Sequence, residues 1–347
     1  MDKWHLSQRF YNFANMECKD SSALYEFLSL RISADDDILE LCSEAQNGQP
    51  VPNLLFGAVH YLLLKGKEHP LKEYYPSLTD SPKNIDSSTF VCFKEFCTAY
   101  KNDIVSILRN KLVQTNEVRR CAYLYPIFSY IYHKTKKPLS LIEIGTSAGL
   151  QLLWDKYSYT YGTDQIYGDK RSHVHITSEI KDGNNPPLPT ESPPVASKIG
   201  LDLDISDLKN AEDYLWLKSL IWPEHQDRLA LFEKAVERFT DNPVELIEDD
   251  GIALLEDVVE TRPEDTVICI FHTHVANQIP EHAKYELLGK VKKIGSNRDV
   301  FHLYNNMWDR KLHLDYYLDG VEFNQTIGET DGHGRWFEWN MSGTSIS

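Results

Sequence analysis

The chain has 347 residues, 41% hydrophobic and 25% charged, which suits roughly two folded domains of about 150 residues and excludes a largely disordered chain. Its 52 acidic and 36 basic residues give a formal net charge of -16, which disfavours binding to phosphate backbones and leaves small molecules or proteins as the expected partners. Six scattered cysteines without a C-x-x-C pair argue against a zinc ribbon or a disulfide framework, so a reducing cytoplasm is expected.

The N-terminus, Met1-Asp2-Lys3-Trp4-His5, is polar, unlike a signal peptide's apolar core. Apolar residues at three- and four-residue spacing then predict helices over 7–14, 22–32, 36–45, 53–64, 90–114 and 116–132. The separators are loop-like: Asn47-Gly48-Gln49-Pro50, then residues 75–82. The longest apolar stretch, 54–64, is about half of what a membrane span needs and contains His60, so no membrane contact is expected. No strand is expected before Pro138.

The pattern changes at residues 139–144, a short apolar run followed by an amphipathic stretch over 148–157. A hairpin is expected over 159–180, then a turn-rich segment with Gly183, Pro186, Pro187, Pro189, Pro193 and Pro194. Strands at 196–203, 243–247, 266–271 and 300–305 alternate with helices at 224–239, 252–259 and 280–291. Short antiparallel strands at 313–317 and 335–339 close the series. Such alternation predicts an α/β fold with an open, mostly parallel sheet covered by helices on both faces. The expected division is an all-helical N-terminal lid domain over 1–137 and a Rossmann-like domain over 138–347, with an insertion at about 158–195.

The run Leu141-Ile142-Glu143-Ile144-Gly145-Thr146-Ser147-Ala148-Gly149 reads as a strand entering a glycine turn. Gly145, Thr146, Ser147 and Gly149 allow backbone to approach a ligand at the end of the first strand. Glu143 matches the acid that class I methyltransferases carry there, which accepts from the cationic methionine end of S-adenosylmethionine. The same residues also spell G-x-S-x-G, a hydrolase nucleophile elbow, with Asp250 and His272 following in the order Ser, Asp, His. About 135 mostly helical residues ahead of the turn, and an acid at Glu143, weigh against that reading.

A nucleoside ligand calls for an acid after the second strand to hold the ribose hydroxyls. Asp202 and Glu179 compete for this, with Asp202 favoured; a turn or cap is the simpler role for Asp202. Asp250, or Asp249 beside it, ends the third strand and is placed to accept from the adenine amino group, or to cap the next helix. His272 ends the fourth strand and is the candidate general base or substrate orienter. His272 and His274 lack a third partner for a metal, so no metal is expected.

The chain resembles a bacterial family catalogued as domain of unknown function 2332, often labelled methyltransferase-like, over nearly its whole length. The matching residues are Leu54-Leu55 with Ala58 to Leu64, Val113 to Val118 with Arg120-Cys121, and Glu143-Ile144-Gly145 with Ser147 to Leu150. Leu153-Trp154-Asp155 with Tyr157, Gly200 with Asp202 and Asp207, and Trp216-Leu217 with Ile221 to Glu224 and Arg228 complete them. Ser206 departs from the family, where proline is expected. The resemblance draws in Gln114, Thr115, Asn116 and Glu117, with Arg120, as a polar cluster that either breaks and caps a helix or contacts cofactor or substrate. Trp222-Pro223-Glu224-His225 reads as a helix entry.

The expected function is binding of S-adenosylmethionine and methyl transfer to a small-molecule or protein acceptor, without nucleic acid. The alternatives are a serine hydrolase acting through Ser147, and a non-catalytic methyltransferase-like scaffold.

Overall fold

The computed structural model describes residues 2–114 and 116–341; Thr115 of the polar cluster lies outside them. Contacts divide the chain into two compact units, Met1–Thr115 with Leu208–Ala230, and Asn116–Asp207 with Leu231–Ser347. The boundary expected at 137 is therefore displaced. Helix Cys121–Thr135 belongs with the sheet, and 208–230 belongs with the N-terminal helices.

In the first unit, helices Lys3–Phe13, Ala23–Ile32, Asp36–Cys42, Val51–Leu64, Ser87–Ala99, Lys101–Asn110 and Ala211–Ser219 enclose a core that contains Phe10, Phe13, Tyr25, Phe56 and Phe93. Asp2, Ser22, Asp35 and Asp86 cap four of them through side-chain oxygens that accept first-turn N–H groups. The helix expected over 90–114 is two helices, because Tyr100 leaves helical geometry at φ -112 and ψ 27. Glu224 explains why the later segment joins this unit. Its carboxylate accepts from the Ser22 hydroxyl at 2.8 Å and from Leu24 N–H at 2.9 Å, closing the start of Ala23–Ile32.

The second unit holds eleven strands among the described residues. In chain order they are β1 (Leu139–Ile144), β2 (Ser158–Tyr161), β3 (Tyr167–Gly168), β4 (His175–Gly183), β5 (Val195–Asp202) and β6 (Glu245–Glu248). Then follow β7 (Val267–His272), β8 (Val300–Asn305), β9 (Leu312–Leu318), β10 (Val321–Gly328) and β11 (Trp336–Trp339). The main sheet runs β6-β5-β1-β7-β8-β9-β10. Its first five members are parallel; β9 pairs antiparallel with β8, and β10 with β9. The chain moves outward from β1 through β5 to β6, then returns to the other side of β1 as β7. That reversal is the switch point of a doubly wound sheet, where ligands bind outside the carboxyl ends of the strands.

Side-chain alternation sorts the sheet's two faces. Ile142, Ile144, Ile199, Leu201, Ile268 and Ile270 pack under helices Leu255–Glu260 and Glu281–Gly295. On the opposite face, Phe128 of helix Cys121–Thr135 meets Phe271 and Trp154, with ring centroids 5.4 and 4.8 Å apart.

Three expectations are corrected. The stretch over 148–157 is a buried 3-10 helix, Leu150–Lys156, that leads at once into β2. The hairpin expected over 159–180 is part of a second sheet, β11-β4-β2-β3, in which β4 runs parallel to both β2 and β11. The strand at 335–339 lies in that sheet, paired parallel, and β10 was not expected. Among the described residues no helix is long and apolar enough to cross a membrane.

Candidate functional site

The glycine turn leaves β1 at its carboxyl end. Gly145 has φ 73, and a side chain there would begin 2.5 Å from Val275, so the turn after β1 lies against the loop after β7. That loop begins where β7 ends, on the far side of the switch point. Ser147 follows at φ 52, a left-handed conformation that a side chain disfavours. Its N–H donates to Asp202 Oδ2 at 2.7 Å, which ties the turn to the end of β5.

Glu143 points to the face under helix Cys121–Thr135, together with Leu141. It is 3% exposed and accepts from the Thr146 hydroxyl at 2.6 Å. Room for Thr146 comes from Gly200, where an added Cβ would sit 2.5 Å from Thr146 Oγ1. Burial pushes the Glu143 carboxyl up to about 8; the Thr146 bond opposes this, the Asp202 charge adds to it, and the Arg120 charge opposes it. Asp202 is also raised by burial, against the N–H groups of Ser147 and Asp204. Two acids with weakened ionisation thus flank one turn, an environment that a cation would relieve.

Asp202 rather than Glu179 ends the strand beside β1. Glu179 lies in β4 of the second sheet, exposed and opposite Trp336. Beyond Asp202, Leu203 is 76% exposed, an apolar surface next to carboxylates. At the end of β6, Glu248 accepts from Ile205 N–H at 3.1 Å and Asp249 N–H donates to the Asp202 carbonyl at 2.8 Å. Asp250 Oδ1 accepts from Ile252 and Ala253 N–H at 2.9 and 3.1 Å, closing the turn at 251–254; the next helix begins only at Leu255 and has no side-chain cap, so Asp250 does not cap it.

Of the polar cluster, Gln114 lies in the first unit, while Asn116, Glu117 and Arg120 lie in the second. Glu117 is buried, bonded to His333 at 3.1 Å and to Arg119 N–H at 3.2 Å. Arg120, 5% exposed, donates to the carbonyls of Gly332 at 3.0 Å and Thr273 at 3.4 Å. Thr273 in turn donates to Gln151 Oε1 at 3.0 Å. Arg120 therefore joins the loop after β7 to the 330–334 loop, and its charge reaches both Glu143 and His274.

His272 is a correction. It shares a face with Ile268 and Ile270, opposite to Glu143, and is fully buried. Its Nε2 lies 3.1 Å from His302 Nε2 and its Nδ1 has no partner. Burial lowers it to about 3, and burial with the His272 charge holds His302 well below its ordinary value. The pair is thus enclosed on the face away from Glu143, with burial favouring the neutral form of both rings. The hydrolase constellation is not assembled, since His272 bonds neither Ser147 nor Asp250. Among the described residues no group of three or more His, Cys, Asp or Glu is placed to hold a metal ion.

Sequence reasoning passed over Thr273, Asn305 and Asn306. His274 N–H donates to Asn305 Oδ1 at 2.7 Å, and Asn306 Nδ2 lies 2.7 Å from His274 Nδ1. The Asn-Asn pair after the apolar run of β8 was the available signal.

No curated protein and no solved structure matches the chain. With its pattern matched over residues 7–339, the chain belongs to DUF2332, a family described as an uncharacterised protein conserved in bacteria.

Proposed function

We propose that the second unit is of the class I methyltransferase kind, binds S-adenosylmethionine at the carboxyl ends of β1, β5 and β6, and transfers a methyl group to a small-molecule or protein acceptor. The observation that carries this reading is the convergence of Glu143 and Asp202 on the 145–147 turn at the switch point. The strand order β6-β5-β1-β7-β8 supports it, being that of a nucleotide-binding doubly wound sheet.

The residues fit the cofactor's chemistry. Glu143, buried and short of positive partners, suits the cationic amino acid end. Asp202 suits the ribose hydroxyls, and exposed Leu203 offers a face for adenine beside Asp249 and Asp250. When bound, the cofactor supplies a methyl group made electrophilic by positive sulfur. This chain's residues contribute binding and alignment, which provide much of such a reaction's rate. The helix-dipole contribution is small here, because the turn is followed by a seven-residue 3-10 helix.

Calorimetry with S-adenosylmethionine and S-adenosylhomocysteine tests the reading. One site per chain is expected, weakened roughly tenfold or more by Asp202→Ala. No binding heat from wild type with either compound at millimolar concentration removes it.

A further inference from the structure

Among the described residues, Asn305 and His274, near the carboxyl ends of β8 and β7, each present a hydrogen-bond donor that meets no acceptor. Asn305 is fully buried, and its Oδ1 takes the His274 N–H at 2.7 Å. That bond fixes the amide's orientation, because only the oxygen accepts; the two hydrogens of Nδ2 are left without a protein partner. The second donor follows from the next residue. Asn306 Nδ2 lies 2.7 Å from His274 Nδ1, and an amide nitrogen only donates, so Nδ1 carries no hydrogen. In the neutral ring the hydrogen is then on Nε2, which is also without a partner.

His274 is held in this position at some cost. Its φ is 57, a left-handed backbone that histidine seldom adopts, and the Asn305 bond retains it there. Buried donors without acceptors are rare in folded proteins, since an unmade bond forfeits what water had supplied. Arg120 adds a positive charge that bears on the same histidine.

We propose that Asn305 Nδ2 and His274 Nε2 form a binding wall for a carboxylate. Two neutral N–H donors under the influence of one guanidinium match a planar group of single charge. A dianionic phosphate suits it less, because the charge of Asp331 bears on His274, and Glu117 is bonded to His333, whose charge also bears on His274. The carboxylate belongs either to the amino acid end of the proposed cofactor or to a separate acceptor molecule. The wall itself does not depend on the cofactor reading.

The test uses the full chain with 15N-labelled histidine rings, with NMR following the His274 signals. Without ligand, His274 is expected in the Nε2–H tautomer. Succinate should shift that signal saturably, and Asn305→Asp should weaken the response roughly tenfold or more. This variant keeps the oxygen that accepts His274 N–H and replaces the donor with negative charge. Should it fail to fold, His274→Asn, a residue tolerant of left-handed backbone, gives the same comparison by calorimetry with succinate. S-adenosylmethionine and its decarboxylated form separate the sources. A shift from the first alone assigns the wall to the cofactor, and a succinate shift unmoved by either assigns it to another carboxylate. Silence towards both succinate and S-adenosylmethionine, a stronger response to inorganic phosphate, or undiminished binding by the variants overturns the proposal. Cofactor binding measured separately by calorimetry shows whether such a failure is this wall's alone.

Discussion

Thr146 donates its hydroxyl hydrogen to Glu143 Oε2 at 2.6 Å, and each residue is only 3% exposed. One such bond does not offset the burial of a carboxylate, so Glu143 titrates at about 8 rather than near its ordinary 4.5. At neutral pH the folded chain holds a proton there that the unfolded chain has released. The stability linked to that proton is complete below the unfolded pKa and is lost as pH rises through the folded one. Glu143→Gln keeps the size and stays neutral. It should melt close to wild type near pH 5 and roughly 5 °C or more above it near pH 9. The same melting difference at both pH values would show that no such proton is held.

That proton also gives the proposed ligand a signature. A cationic amino group placed beside Glu143 favours its ionised form, so binding near pH 7 should release about one proton per molecule. Affinity should accordingly rise with pH up to about 8 and level off above it. Calorimetry in buffers of different ionisation enthalpy measures the released proton directly. Glu143→Gln should abolish the release; a release that persists in this variant would have to come from another group.

Gly200 supports both residues from β5. A Cβ there would lie 2.5 Å from Thr146 Oγ1 and 2.7 Å from a Leu246 methyl, so the buried Thr146 side chain would have to shift. Gly200→Ala should lower stability by roughly 1–3 kcal/mol and weaken binding of the proposed cofactor, because the displaced Thr146 releases Glu143. In a double-mutant cycle, Thr146→Ala should cost less in the Gly200→Ala background than in wild type. Strict additivity, read from denaturant midpoints, would place the damage elsewhere.

How far the sequence revealed this site depended on what each signal measures. Short apolar runs located β1, β5, β7 and β8 to within about a residue or two, and strand ends at or before Gly, Asp or His marked the sheet's carboxyl edge. Glu143, the 145–149 turn and Asp202 were legible because all three lie within a few residues of such an end. Pairing between distant segments was not. Nothing local in 335–339 shows that β11 joins β4, more than 150 residues earlier, and so the hairpin reading of 159–180 fell short. Glu179 was plausible as the ribose acid only while β4 was not known to lie in another sheet. His272 was misplaced for a different reason. Alternation puts it with Ile268 and Ile270, away from Glu143, and that parity was available in the sequence.

The pair formed by His272 and His302 carries the last prediction. Both rings are fully buried, 3.1 Å apart, with neither Nδ1 partnered. Burial lowers His272 to about 3 and His302 well below its ordinary value of 6.5. The unfolded chain therefore takes up two protons below pH 6.5 that the folded chain refuses, and stability falls as the solution is acidified from there towards pH 3. Replacing both rings, His272→Phe with His302→Phe, removes that difference while filling similar volume. The fall in melting temperature from near pH 7.5 to near pH 5 should shrink by roughly 5–10 °C. Because the pair lies on the face opposite Glu143, the binding heat of the proposed cofactor should not change. Lost binding with an unaltered acid slope would return His272 to the crevice as a ligand-facing group.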